Sequence, residues 1–220
     1  MLWSRSGTRK KTSASCAEAD VQLVSRLKQR DEQAFLVLYD RHHRSVYRFL
    51  TYMTGSIAIA EELTQEVFVV ILNAMCSGSL GQFDPEKGTL EGYLLGIARN
   101  FAREEHRRSR RLLPLDTVLE TPEWSQLLNR LCQENRVWDV SEMLAARSEM
   151  KILYSAILEL PSHYREVVVL CNLQERSYQE AATILQCSEG TIASRLNRAK
   201  TLLAAKLRRP MPNEVKAAAI

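Results

Sequence analysis

The sequence predicts an all-α fold, built as two small helical domains joined by a linker. Only eight Gly and six Pro occur among 220 residues, and strand-like alternation of apolar and polar residues is scarce. Apolar residues instead recur at intervals of three and four, the period of one helix face. The 45% hydrophobic share can fill a core, and the length suits one domain or two small ones.

Residues 1–17 are rich in Ser, Thr, Lys and Arg without periodicity, and are expected to form a disordered basic tail. From Ala17 a short helix should lead to Asp31, which can cap a longer one. That helix has Phe35, Leu38, Tyr39, His42, Val46, Phe49, Leu50 and Met53 on its apolar face and Gly55 as its stop. His42 on such a face reads as a core imidazole. Ser56 can cap the next helix, with Ala60, Leu63, Val67, Ile71 and Met75 inward and Glu61, Glu62, Gln65 and Glu66 on an acidic outer or boundary face. Glu62 and Glu66 stand at i, i+4, as paired carboxylates could, but no Glu-x-x-His accompanies them. A solvated or protein-binding face is the better account.

Cys76 to Gly88 reads as loop from its Gly, Ser and Pro content. Thr89 can cap a helix carrying Leu90, Tyr93, Leu94, Ile97, Ala98 and Phe101 inward. This helix turns basic at its end, with six Arg between Arg99 and Arg111 against Glu104 and Glu105. Arginines beside aromatic rings suit single-stranded or melted DNA, where a ring can stack on an exposed base.

Residues 112–150 reverse the sign, with seven Asp and Glu against three Arg, and Pro114 and Pro122 break the segment early. They are expected to be an acidic linker, partly helical. Two helices then follow over 151–160 and 162–172, parted by Pro161, and a further pair completes a four-helix C-terminal domain.

That last pair has a helix-turn-helix pattern. Ser177 and Glu180 have capping-box spacing, and Tyr178, Ala181, Ala182 and Leu185 repeat at helical intervals. Gln186, Cys187 and Ser188 interrupt. Ser188 can cap a second helix in which Ile192, Leu196, Ala199 and Leu203 form a buried stripe. At about 100° per residue, Gly190, Thr191, Ser194, Asn197, Arg198 and Thr201 point away from it, with Glu189, Arg195 and Lys200 on the flanks. Arg, Asn and Glu can read base edges in a major groove, while Lys and Arg neutralise phosphates. Residues 175–209 carry seven Lys and Arg against three Glu, the local excess a phosphate-binding module needs.

The net charge of +4 is therefore clustered. The five cysteines stand far apart, with no CxxC and no histidine at ligand spacing, so no metal, zinc site or disulfide framework is indicated, and the thiols should be reduced and mostly buried. No cofactor is indicated, and the chain lacks a phosphate loop or nucleophile elbow, so it does not read as an enzyme. It also lacks a run of 18 apolar residues and an N-terminal apolar h-region. A cytoplasmic protein without membrane insertion is expected.

Four segments, DEQAFLVLYDRHHRSVYRFLTYMTG, AEELTQEVFVVIL, FDPEKGTLEGYLLGIARN and LPSHYREVVVLCNLQERSYQEAATILQCSEGTIASRLNRAKTLL, stand in the order and near the spacing of the sigma-70 family. They resemble its extracytoplasmic-function group of bacterial RNA polymerase sigma factors. The resemblance implies a sigma domain 2 over 18–111 and a sigma domain 4 over 151–209, around the linker 112–150 and with tails 1–17 and 210–220. Core RNA polymerase and promoter DNA are the implied partners, with an anti-sigma factor as a further one. Polymerase would be bound by Glu61, Glu62, Gln65 and Glu66. The minus-10 element would be held by Tyr93, Arg99, Asn100 and Arg103, with the loop over 81–89 receiving a flipped base. Ser188, Glu189, Thr191, Ser194, Arg195, Asn197, Arg198 and Lys200 would read the minus-35 element. The resemblance also implies that the linker threads the polymerase cleft, with Asp116, Glu120 and Glu123 lying there. Gln186 stands at a turn position where Gly is common, and Tyr93 where Trp is usual. The competing reading is a two-domain helix-turn-helix regulator that does not bind core polymerase; the first half lacks the βα alternation such a receiver would need.

Overall fold

A computed structural model describes residues 13–78, 84, 88–109, 150 and 152–207, with side chains from residue 19 to 108 and beyond 150 within those ranges. The stretch expected to be the linker, the first twelve residues, most of residues 79–87 and the chain after Leu207 lie outside the described residues. Every described element is helical.

The first helix, α1 (Ser13–Lys28), begins inside the stretch expected to be a tail, so the helical part of the chain reaches further back than the composition indicates. It packs through Leu23, Val24 and Leu27, and Asp20 ties it to the helix that begins at Leu90: only 4% exposed, the Asp20 carboxylate accepts the Leu90 N–H at 3.1 Å and faces Arg41 at 3.4 Å. One orphan donor at the start of a distant helix is thus satisfied from α1. Asp31 caps α2 (Glu32–Thr54) through the Gln33 and Ala34 N–H groups, and Gly55 ends it at φ 76°, a left-handed conformation natural to glycine. Gly55 is also a close approach, because a β-carbon there would stand 2.7 Å from Leu158 of the C-terminal half.

Leu38, His42, Val46, Phe49, Leu50 and Met53 are buried as the periodicity requires, whereas Tyr39 is 38% exposed. Its ring stacks on His43 and meets Phe68 edge-on. Ser56 caps α3 (Ile57–Ser77), whose expected stripe is buried throughout. The helix runs on to Ser77 and stops at Gly78, so Cys76 and Ser77 are helical, not loop, and the Cys76 thiol is exposed. Thr89 receives the Gly92 N–H at 3.1 Å and starts α4 (Leu90–Ser109). Helices α1 to α4 pack around α2.

The C-terminal half opens with α5 (152–158) and continues after Pro161 with α6 (Ser162–Val168), which widens into a π turn over Val169–Leu173. Then come α7 (Tyr178–Leu185) and α8 (Glu189–Leu207). The Ser177–Glu180 capping box is complete, with both reciprocal hydrogen bonds made. Tyr178 is 42% exposed and leaves the α7 core to Ala181, Ala182, Ile184 and Leu185. Gln186 sits at φ 53°, ψ 50°, the left-handed state its turn position foreshadows. Its N–H reaches Thr183 O, and the Cys187 N–H reaches Ala182 O, closing the helix as a Schellman motif does.

The two halves share one core. Tyr52 of α2 stacks on Tyr154 of α5 at 5.3 Å and 9°, α4 packs on α7, and α2 packs on both α6 and the π turn. Arg165 joins them by donating to Met53 O at 2.6 Å, at the end of α2, and to Leu158 O and Leu160 O. Burial pushes this guanidinium down to about 10, against a smaller opposing pull from Glu166.

Two outcomes follow from local chemistry. Left-handed backbone costs a non-glycine residue about 1 kcal/mol, so Gln186→Gly should raise the midpoint of thermal unfolding, with DNA binding retained. His42 is the second case. Burial holds its imidazole below the usual histidine range, Glu91 and Asp20 partly oppose this, and Arg41 and Arg176 add to it. A base depressed in the folded state keeps its full stability contribution above its unfolded value, about 6.5, and loses it as pH falls through the folded value. Thermal melts should therefore fall between pH 7.5 and 5.5, and His42→Leu should flatten that fall; equal slopes in both proteins would exclude His42 as the cause.

Candidate nucleic-acid and polymerase interfaces

The outward face of the second helix in the helix-turn-helix is set by the α8 stripe. Ile192, Leu196, Ala199 and Leu203 are at most 6% exposed, which fixes the rotation of α8 and turns the opposite side to solvent. Glu189, Ser194, Asn197 and Arg198 are exposed there, with Thr191, Arg195 and Lys200 at the margin. Ser188 Oγ accepts the Thr191 N–H at 3.2 Å and pairs with its hydroxyl at 2.9 Å, so these two side chains are held by the helix start. Thr201 bonds back to Asn197 O. Among the described residues, Arg195 and Arg198 form no ion pair, and both guanidiniums stand ready for an anion.

On α3 the burial pattern gives the second surface. Leu63, Thr64, Val67 and Phe68 turn inward, and Glu61, Glu62, Gln65 and Glu66 all face solvent on one side. Exposed Val69, Val70 and Leu72 continue this helix beyond the acids. The result is a mixed acidic and apolar strip.

The third set behaves differently. Asn100 is exposed and Tyr93 half-buried, but Arg99 is buried, and Arg103 bends to the same place. Their Nε atoms lie 3.2 and 3.4 Å from Glu166 Oε1 on α6. The expected DNA-facing arginine is thus turned into the seam between the two halves, because a carboxylate is buried there. Glu166 is 1% exposed, and neither of its oxygens accepts a hydrogen bond, nor is Arg99 Nε aligned to donate one. The contact is one of charge without hydrogen-bond geometry.

The periodicity offered no sign of this seam, yet the sequence holds one. Arg165 and Glu166 are adjacent charges preceding an apolar run, Val167 to Leu170, and charged residues inside such a run are buried only when paired. Two further seam contacts went unforeseen: Arg176 pairs with Glu91 of α4, and Gln174 donates to Ser45 O at 2.9 Å. Among the described residues no group of His, Cys, Asp and Glu could hold a metal, and no helix is long and apolar enough to cross a membrane.

These surfaces coincide with the parts matched by known families. Residues 38–112 match Sigma-70 region 2, and residues 150–203 match Sigma-70, region 4. The chain is 28% identical over 174 residues to the ECF RNA polymerase sigma factor SigX of Bacillus subtilis, covering 78% of this chain and 82% of that protein. It is 27% identical to the RNA polymerase sigma-H factor of Pseudomonas aeruginosa, over 83% of this chain and 91% of the other. Among solved structures, CnrH in complex with the cytosolic domain of CnrY is similar in fold, with a TM-score of 0.60 at 24% identity over 86% of this chain and 97% of that one. The sigma factor RpoE of Bartonella quintana, in complex with the anti-sigma factor NepR, gives 0.56 at 22% identity over 79% and 96%. With a region 2 bundle, a region 4 helix-turn-helix and sigma-factor relatives matched over most of their length, the chain belongs to the sigma-70 family of RNA polymerase sigma factors, in its extracytoplasmic-function group.

Proposed function

We propose that this sigma factor meets core polymerase and the two promoter elements through three separate surfaces. The acidic side of α3, with Glu61, Glu62, Gln65 and Glu66, docks on core polymerase. The first two thirds of α4, with Tyr93, Arg99, Asn100 and Arg103, hold the opened minus-10 strand, and α8 lies in the major groove of the minus-35 element. The observation that carries the reading is the outer face of α8: among the described residues Arg195 and Arg198 have no ion-pair partner, on a stretch of helix that also offers Ser194, Asn197 and Glu189. Phosphate contacts position such a helix and base-edge contacts specify its site.

The proposed division of the chain is domain 2 over 18–111, extended back by α1, domain 4 over 151–209, and tails on either side of a linker over 112–150. Asp116, Glu120 and Glu123 of that linker lie in the polymerase cleft in this proposal, although they fall outside the described residues. An anti-sigma factor is a proposed partner, as RpoE has one in NepR. The cytoplasm is the proposed location, where polymerase and DNA meet, and the chain itself carries out no catalytic step.

Run-off transcription with core polymerase and genomic fragments tests the whole reading: specific starts are expected, and their absence would favour a regulator that does not act as a sigma subunit. At finer grain, Arg198→Ala should weaken minus-35 binding by about 1–3 kcal/mol if it reads a base edge. If it touches phosphate only, the loss should be equal on all sequences, with the salt slope smaller by about one. Glu62→Lys with Glu66→Lys should abolish co-elution with core enzyme while leaving the thermal melt in place. Undiminished co-elution would remove α3 from the polymerase interface.

A further inference from the structure

We propose that the packed form is a self-inhibited state, in which the Glu166 carboxylate takes on Arg99 and Arg103 the place of a phosphate of the opened minus-10 strand. The proposal rests on the reading of those arginines as strand contacts. Both guanidiniums converge on one carboxylate oxygen, at 3.2 and 3.4 Å, on a residue that is 1% exposed. Arg99, 11% exposed, is kept from any other anion by this packing, while Arg103, 48% exposed, is drawn toward Glu166 through its Nε. The same packing fixes the two readers side by side, whereas the positions in their names put the two elements about 25 base pairs apart, roughly 85 Å along DNA at 3.4 Å per base pair. The closed molecule therefore cannot engage both.

Opening is built into the chemistry. Glu166 has lost its water without gaining hydrogen bonds, since neither oxygen accepts one. A buried ion pair of that kind contributes little net stability, while a phosphate presented to exposed arginines forms shorter, charge-assisted bonds. DNA is the better partner for both arginines once the halves part. The rest of the seam differs in kind, with hydrogen bonds from Arg176 to Glu91, Gln174 to Ser45 O and Arg165 to Met53 O beside the stacked Tyr52 and Tyr154, so opening must also break these. The 39 residues of 112–150 can span about 130 Å when extended, so the halves can separate that far without a break in the chain.

The test uses the full chain. Glu166→Gln should raise the radius of gyration of the free protein in small-angle scattering. It should also tighten binding to a fluorescein-labelled single-stranded DNA of about 15 nucleotides, near the upper site size of such modules. The gain should be about tenfold if a tenth of the wild type is open, and adding Arg99→Ala and Arg103→Ala should remove it. Unchanged radius and affinity would overturn the proposal. A gain that persists without the two arginines overturns the phosphate mimicry through its premise. The premise is checked separately, because the double arginine variant in the wild-type background should leave holoenzyme unable to melt a promoter by permanganate footprinting. Should Glu166→Gln fail to fold, a Gly88→Cys, Thr183→Cys pair serves, since a β-carbon at Gly88 lies 3.3 Å from the Thr183 methyl. Its oxidised form should neither bind the oligonucleotide nor support transcription with core enzyme, and reductant should restore both; oxidised protein as active as reduced would overturn the proposal.

Discussion

The seam between the two halves depends on two adjacent charges, Arg165 and Glu166, both buried at the middle of the molecule. Arg165 binds carbonyls at the ends of α2 and α5, where a helix leaves its last carbonyls unpaired and its dipole is negative. One cation thus serves two helix ends from different halves. Glu166, next in the chain, faces the other way and takes the two arginines of α4. Neutral replacements for the pair could pack the same volume, but they would not fix which ends of which helices meet.

Around this centre the contacts grade from apolar to polar. Tyr52 on Tyr154 and Gly55 against Leu158 bring the backbones close, and a side chain at Gly55 would meet both a left-handed φ and the Leu158 methyls. Further along, Gly92 of α4 faces Ile184 of α7, so a residue that weakens α4 as a helix former also lets a neighbouring helix lie near. Stability of each half and closeness of the two halves are in tension at that glycine.

Most helices were legible because their signals are local. Asp31, Ser56, Thr89, Ser177 and Ser188 cap where their side chains allow it, and Gly55 stops α2 where a left-handed residue is needed. The outward face of α8 was legible for the same reason, since one stripe fixes a helix's rotation. Arg99 was not. It reads as the start of the basic end of α4, and only a carboxylate some 70 positions away decides that it turns inward. Asp20, which serves the start of α4 from α1, was missed on the same grounds. Contacts between distant charges leave no period in the sequence, and the extra residue of the π turn leaves none either.

That π turn, Val169–Leu173, has a consequence for how the chain can vary. A π turn adds one residue to a helical path, so everything after it is rotated by about 100° relative to an unbroken α-helix. Gln174 and Arg176 follow directly, and their reach to Ser45 and Glu91 depends on that rotation. The helix-turn-helix begins only at Ser177, with its own cap. Loss of a single residue between Val169 and Leu173 would re-phase the seam while leaving the α7–α8 pair whole. Chain length at this one point can therefore change how the halves meet, independently of the packing inside each.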